Sequence, residues 1–462
     1  MKKFLTTYRW EVVVFALALI VRLIFFAASF YADHGNLVAA VQGADGYYVI
    51  SENIIQGHGY SSEGGPPYTP NAIRPPVMPY FLALLYSLGD TYWTPLLVEI
   101  VLGALLPVIG MRIAQYVVRS RSVAVAAGIF LALEPFSIAF ASLFYSETVF
   151  TFFLLLSLWA FCVYLERGRW HELFLSAGLL GLAVLTKPTA QYVIILYAAV
   201  LLWQARHAIR NAMPRVLVLV VVFLLVLSPW LYRNYITFGV VALSPQLSEQ
   251  LSAILVPSVL SIANGTSFQT EFNAALARGV KDPNKAELHG SMDAIRTSVT
   301  ILLAHPYALA VTLGNTALNF FIHDGVFEVL KRLNLKPPVL LGKPALFLFL
   351  SDPMALFGYI RTVVFEPTIA ILFARLSWIG VTMLFFFGAG AYLRKDSTLA
   401  GILCLSMIAY FMLTTLVIGL SVTARYRMPI NYLIVLFAAY GAVLFAAALV
   451  RRFTAWKNPY IR

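Results

Sequence analysis

Apolar residues run along this chain in long blocks, without the one-sided spacing of a soluble helix or strand. A helix needs about 20 mostly apolar residues to cross the hydrocarbon core of a bilayer. Blocks of that kind fall at Val12–Phe30, Trp93–Val118, Ser122–Leu143, Glu147–Tyr164 and Leu173–Val193, then at Ile194–Trp203, Arg215–Leu231, Pro367–Leu393, Leu399–Leu420 and Ile430–Leu449. Ile194–Trp203 is short, and its helix is expected to start earlier, near Pro188. The pattern predicts an all-α, polytopic membrane protein with about ten transmembrane helices.

Two more apolar stretches interrupt the polar segments. Residues 66–88 carry Pro66, Pro67, Pro70, Pro75, Pro76 and Pro79, and residues 299–321 are broken by His305-Pro306. Proline removes a helical hydrogen bond and disfavours helix in the residue before it. Both stretches are therefore expected to form non-spanning helices, one in a first outer loop (31–91), the other in a long outer loop (233–366). The alternative is that either one spans; a spanning 299–321 would put Arg394-Lys395 outside. No repeat of fixed period and no inverted duplication is visible, so 1–462 reads as a single transmembrane domain.

Composition agrees. Hydrophobic residues make up 60% of the 462 and charged residues 12%, against roughly 45–50% and about 25% in a soluble domain. This excludes a cytosolic enzyme, a disordered chain and a disulfide scaffold. The two cysteines, Cys162 and Cys404, sit in apolar runs and read as core residues. The net charge of +12 comes from 33 basic and 21 acidic residues. Nucleic-acid binding is not expected, because no basic soluble domain exists to carry it. The basic residues instead mark alternate loops: Lys2, Lys3 and Arg9; Arg112, Arg119 and Arg121; Arg167 and Arg169; Arg206, Arg210 and Arg215; Arg394 and Lys395; Arg451, Arg452, Lys457 and Arg462. By the positive-inside rule both termini are cytoplasmic. The Lys-led first block lacks a small-residue cleavage site and reads as a membrane helix, not a signal peptide.

The chemistry gathers at the other face. The first outer loop holds Ala44-Asp45-Gly46-Tyr47-Tyr48, Gly57-His58-Gly59-Tyr60 and Arg74-Pro75-Pro76-Val77-Met78-Pro79-Tyr80. Asp45 reads in two ways, as an N-cap of a helix over Gly46–Gln56 or as a general base. Glu147 opens a span at the same face, where the helix macrodipole favours an acid. Arg22 and Glu134 lie at membrane depth; Arg22 is expected to reach the outer leaflet or pair with an acid. No HExxH, CxxC or P-loop occurs.

These pieces, with Ser142–Thr148, Leu185-Thr186-Lys187-Pro188, Pro229-Trp230-Leu231-Tyr232-Arg233-Asn234-Tyr235 and Ala424-Arg425-Tyr426-Arg427-Met428-Pro429, give the chain a resemblance. It looks like the GT-C-type integral-membrane glycosyltransferases, closest to those that use dolichyl- or undecaprenyl-phosphate sugars: protein mannosyltransferases, lipid A aminoarabinose transferases and their bacterial relatives. The resemblance implies inverting transfer of a hexose or pentose from a polyprenyl-phosphate carrier to a lipid, glycan or protein acceptor. It implies a bacterial inner membrane, with the site on the periplasmic face among membrane lipids. Asp45 matches the family's base after the first helix and Glu147 its second acid. Lys187, Arg425, Arg233 and Arg74 would meet the leaving phosphate, unless each snorkels to lipid headgroups. His58 and Tyr48 are candidates for substrate contact. No cofactor is required; Asp45 and Glu147 would supply only part of an oxygen-rich divalent-metal site.

The match has departures. Gly46 stands where protein mannosyltransferases carry a second acid beside the first. The Trp-Trp-Asp signature and soluble C-terminal domain of oligosaccharyltransferases are missing from this sequence, which argues against a pyrophosphate-linked donor. The rival reading is a transporter or flippase of a lipid-linked saccharide, expected to place its ionisable groups near mid-membrane.

Overall fold

The computed structural model describes residues 8–43, 45–89, 92–280, 288, 290–335, 352–355, 357–358, 361 and 369–457, with side chains of the last stretch described for 371–450. Lys2, Lys3, Arg462 and Pro367, the predicted start of the eighth span, lie outside these residues, as does part of the long loop. Every regular element among the described residues is helical.

In chain order the elements are α1 (Arg9–Ala32), α2 (Leu37–Val41), α3 (Tyr47–Ile55), α4 (Val77–Gly89), α5 (Trp93–Val117), α6 (Arg121–Ala132), α7 (Pro135–Phe140), α8 (Glu147–Arg167), α9 (Trp170–Thr186), α10 (Val193–Gln204), α11 (Ile209–Phe238), α12 (Gln246–Glu249), α13 (Val256–Asn264), α14 (Phe268–Ala277), α15 (Ser291–Ala304), α16 (Pro306–Ile322), α17 (Val326–Arg332), α18 (Ile369–Lys395), α19 (Leu399–Thr415) and α20 (Asn431–Lys457). A π-helical turn, Gln250–Leu255, joins α12 to α13. The main core packs α5, α6, α8, α9 and α11 with α18, α19 and α20.

Seven helices among the described residues are long and apolar enough to cross a membrane. The difference from the ten hydropathic blocks has local causes. Ser122–Leu143 is split into α6 and α7 at Leu133-Glu134, because Pro135 starts a new helix and the Glu134 carboxylate caps it, accepting from Phe136 N and Ser137 N. Arg22 serves this break too. Rather than reaching the surface or pairing with an acid, its guanidinium donates to Ala18 O and to Ala132 O, at the end of α6. Leu173–Val193 likewise stops at Thr186, and the short turn Pro188–Ala190 precedes α10. Residues 66–88 form a helix only from Val77, of 13 residues. The stretch 299–321 belongs to α15 and α16, which bend by 103° at His305-Pro306. The predicted loop beginning at 233 starts later, because α11 runs through Arg233 to Phe238 and ends at Gly239 in the left-handed region.

Helices α18 and α20 touch backbone to backbone. A Cβ on Gly388 would meet Phe437 O and the backbone of Gly441, and one on Gly441 would meet Leu384 O and Gly388. Small residues let membrane helices touch backbone to backbone, and backbone cannot step aside as a side chain can. Gly388→Ala should therefore destabilise the detergent-solubilised protein by about 1–3 kcal/mol, read as a lower unfolding temperature.

Candidate active site

Five chain segments converge on one end of the bundle. Asp45 precedes α3, but it does not cap it. Gly46, at φ +70°, takes the N-cap position with no side-chain bond to the helix. The Asp45 carboxylate is thereby free to turn to Arg425, whose Nη2 and Nη1 both donate to it. Arg74 holds the same residue from the other side: its Nε donates to Asp45 O at 3.1 Å, and its Nη2 lies 3.6 Å from Oδ1. Glu147, the first residue of α8, is fully buried, and its Oε1 accepts from Lys187 Nζ at 2.8 Å and from Arg425 Nε. Arg425 thus bridges two carboxylates, with the ring of Tyr145 4.3 Å below its guanidinium carbon.

The backbone explains why these groups meet. Lys187 is released from helical geometry by Pro188 and stands extended at the end of α9. Arg425 sits in a short turn, Ala424–Tyr426, anchored through its neighbour Arg427. Arg427 is completely buried and donates to Phe320 O, Phe321 O, His323 O and Asn431 Oδ1, with its guanidinium 3.9 Å over Trp378. Arg74 is fixed by Tyr60, whose hydroxyl donates to Arg74 O and Pro75 O.

A cavity of about 410 Å³ opens among Asp45, Tyr47, Arg74, Lys187, Arg425 and Glu249, with an apolar side from α19 that includes Phe411. Burial would pull the Arg425 guanidinium down, but the Glu147 and Asp45 carboxylates hold it well above the ordinary arginine value. Burial pushes the Tyr47 phenol up to about 12, against the opposing pull of Arg74, so it stays a neutral hydrogen-bonding group. Among the described residues no three His, Cys, Asp or Glu side chains are grouped to hold a metal ion.

The structure therefore brings together Asp45, Glu147, Lys187, Arg425 and Arg74. It places the other three candidates elsewhere. Arg233 lies against Tyr60, Trp230 and Phe238 and donates to Asn71 O, bracing the loop that carries Arg74. His58 is exposed and stacks on Tyr68 with ring centroids 3.9 Å apart. Tyr48 packs against an apolar cluster, and Tyr47, one residue earlier on α3, faces the cavity instead. Sequence reasoning passed over Tyr47, Glu249 and Gln250. Glu249 ends α12 and Gln250 opens the π-helical turn, and both line the cavity; nothing in their spacing signals it.

With this geometry in place, the likenesses to known proteins can be read. The family model for dolichyl-phosphate-mannose-protein mannosyltransferase matches residues 73–232. That stretch holds Arg74, Glu147 and Lys187; Asp45, Arg233 and Arg425 lie outside it. No curated protein matches the chain. Two solved structures of an Archaeoglobus fulgidus oligosaccharyltransferase share the fold, each with a TM-score of 0.51. The archaeal AglB, in complex with an inhibitory peptide and a dolichol-phosphate, is 12% identical over 98% of this chain and 52% of its own. The form tethered to an acceptor peptide is 14% identical over 99% and 52%. The chain spans about half the length of these oligosaccharyltransferase chains. The Cupriavidus metallidurans ArnT bound to undecaprenyl phosphate, 14% identical over 94% of this chain and 78% of its own, has a TM-score of 0.40, too slight a likeness to argue from. The resemblance to GT-C-type integral-membrane glycosyltransferases is borne out.

Two predictions follow from the ionic contacts. Glu147→Gln leaves Lys187 and Arg425 without the buried anion between them and should cost about 3 kcal/mol, read by thermal unfolding in detergent. His323 is pushed down to about 4, by burial first and by Arg375 next, and its Nδ1 accepts from Gly325 N and Ala424 N. The neutral ring is the one the fold holds. Its contribution is complete above the unfolded value near 6.5 and is lost as pH falls from there toward 4. Unfolding temperatures measured across that window should fall less in His323→Asn than in wild type.

Proposed function

We propose that this protein is an inverting glycosyltransferase that moves a sugar from a polyprenyl-phosphate carrier to an acceptor hydroxyl at the outer face of a bacterial inner membrane, with both chain termini in the cytoplasm. The observation that carries this reading is the convergence of Lys187, Arg425 and Arg74 on a cavity that also holds Asp45. Cations preorganised at that place meet the charge of a departing phosphate. Arg425 presents a planar fork suited to two phosphate oxygens and Lys187 a point charge.

In the proposed reaction the acceptor oxygen attacks the anomeric carbon from the side opposite the phosphate. The sugar–phosphate C–O bond breaks, and its electron pair leaves on the phosphate oxygen. The acceptor's hydroxyl proton passes to Asp45. When phosphate draws Arg425 toward itself, the Asp45 carboxylate loses part of its partner and gains freedom to accept that proton. Glu147 stays paired with Lys187 and fixes the cation cluster. The acceptor on this reading is a lipid, glycan or protein that offers a hydroxyl, and the sugar a hexose or pentose. A carrier of lipid-linked saccharides would need its polar groups along a path across the bilayer, whereas these meet at one end.

Asp45→Asn should lower transfer by about a hundredfold or more in detergent, where transport has no meaning, while binding of undecaprenyl phosphate persists. Lys187→Ala should instead weaken that binding and deplete polyprenyl phosphate copurifying with the protein, seen by mass spectrometry. Full turnover in Asp45→Asn would sink the assignment of the base.

A further inference from the structure

Helices α4, α5 and α8 enclose buried oxygens that the proposed reaction leaves unused. Glu99, on α5, has no solvent exposure. Neither of its carboxyl oxygens has a hydrogen-bond partner among the described residues, and the same holds for Glu147 Oε2 and Thr151 Oγ1 on α8. Leu96 and Ile100, beside Glu99 on α5, pack in one cluster with Phe144 and with Val149, two residues past Glu147 on α8, and α5 and α8 lie against each other. No cation pairs with Glu99 among the described residues.

An ionised carboxylate in that place would be isolated in an apolar surrounding, next to a second negative charge. A carboxylic acid carries no such penalty, but its O–H needs an acceptor. Glu147 Oε2 is an acceptor that lacks a donor, since Lys187 and Arg425 both use Oε1. Each residue has what the other is missing. Ion-bearing groups inside a membrane bundle are costly and mark functional positions.

We propose that Glu99 is a proton-bearing positioning residue, whose carboxylic acid donates a hydrogen bond to Glu147 Oε2, directly or across one bridging water. Thr151 Oγ1, one turn along α8, gives such a water a further partner. The bond fixes the rotation of the Glu147 carboxylate, so that Oε1 keeps facing Lys187 and Arg425 and the two cations stay placed for phosphate. The consequence for phosphate binding rests on the function proposed above; the protonation of Glu99 does not.

Infrared difference spectra of the purified full chain, wild type against Glu99→Gln at neutral pH, test the proton. The expected result is a protonated-carboxyl C=O band in wild type that Glu99→Gln removes. If no such band is lost, the proposal is overturned. Binding of undecaprenyl phosphate tests the positioning. Glu99→Gln retains an N–H donor and should bind within about threefold of wild type, whereas Glu99→Met, of similar size and with no donor, should bind roughly ten- to a hundredfold more weakly. Equal binding by Glu99→Met and wild type, or equal losses in the two variants, overturns the positioning role. If Glu99→Met does not fold, the infrared band and Glu99→Gln binding decide. If wild type itself fails to bind undecaprenyl phosphate, the proposed donor class falls, and the infrared band still decides the state of Glu99.

Discussion

The site depends on one guanidinium. Arg425 is held by Asp45, 380 residues away in the chain, and by Glu147, 278 residues away. These contacts tie the segment before α3, the start of α8 and the segment between α19 and α20 into one unit. Much of the surrounding structure keeps the Arg425 backbone in place. Arg427 closes the carbonyl end of α16 and fastens the turn from behind. His323 accepts from Ala424 N, and Gly325, at φ +76°, comes so close to Ala424 and Phe136 that a side chain there would strike both.

Putting three cations and two acids together under an apolar roof would be costly if any were left alone. The arrangement avoids this by sharing. Asp45 is covered by Arg425 and Arg74, Glu147 by Arg425 and Lys187. Two of the three positive charges are therefore offset at the wall of the cavity before any ligand arrives, and on the proposed function an incoming phosphate competes with carboxylates for donors already aimed at the cavity. Binding then becomes an exchange of anions, which spares the protein the cost of holding bare cations at the membrane surface.

The proline-rich breaks are as important to this as the charges. Pro135 splits a hydropathic block and lets Glu134 cap α7, which packs beside α17 and the Arg425 turn. Pro188 ends α9 and turns Lys187 out of helical geometry. Read by hydropathy alone, both segments look like uninterrupted spans. The second break stops the helix where Lys187 faces the cavity, and the first sets α7 behind the Arg425 turn.

Much of this was legible in the residues. The long apolar blocks pointed to an all-helical membrane protein, because a helix satisfies its own hydrogen bonds in lipid, while the strands of a closed barrel are shorter and alternate in polarity. Asp45, Glu147, Lys187, Arg74 and Arg425 stood out as charges at the ends of those blocks, although an N-cap would also have explained Asp45 and the helix macrodipole Glu147. Tertiary structure alone decided which of them meet. It turned Arg233 onto aromatic rings, put Tyr47 where Tyr48 was expected, and left His58 on Tyr68 at the surface. It also turned Arg22 onto a broken helix end and left Glu99, one acid inside an apolar span, buried with no hydrogen-bond partner among the described residues. Local sequence records a residue's type and its depth along a helix. The rotation of that helix, and the neighbour its face is pressed against, come from packing between segments hundreds of residues apart.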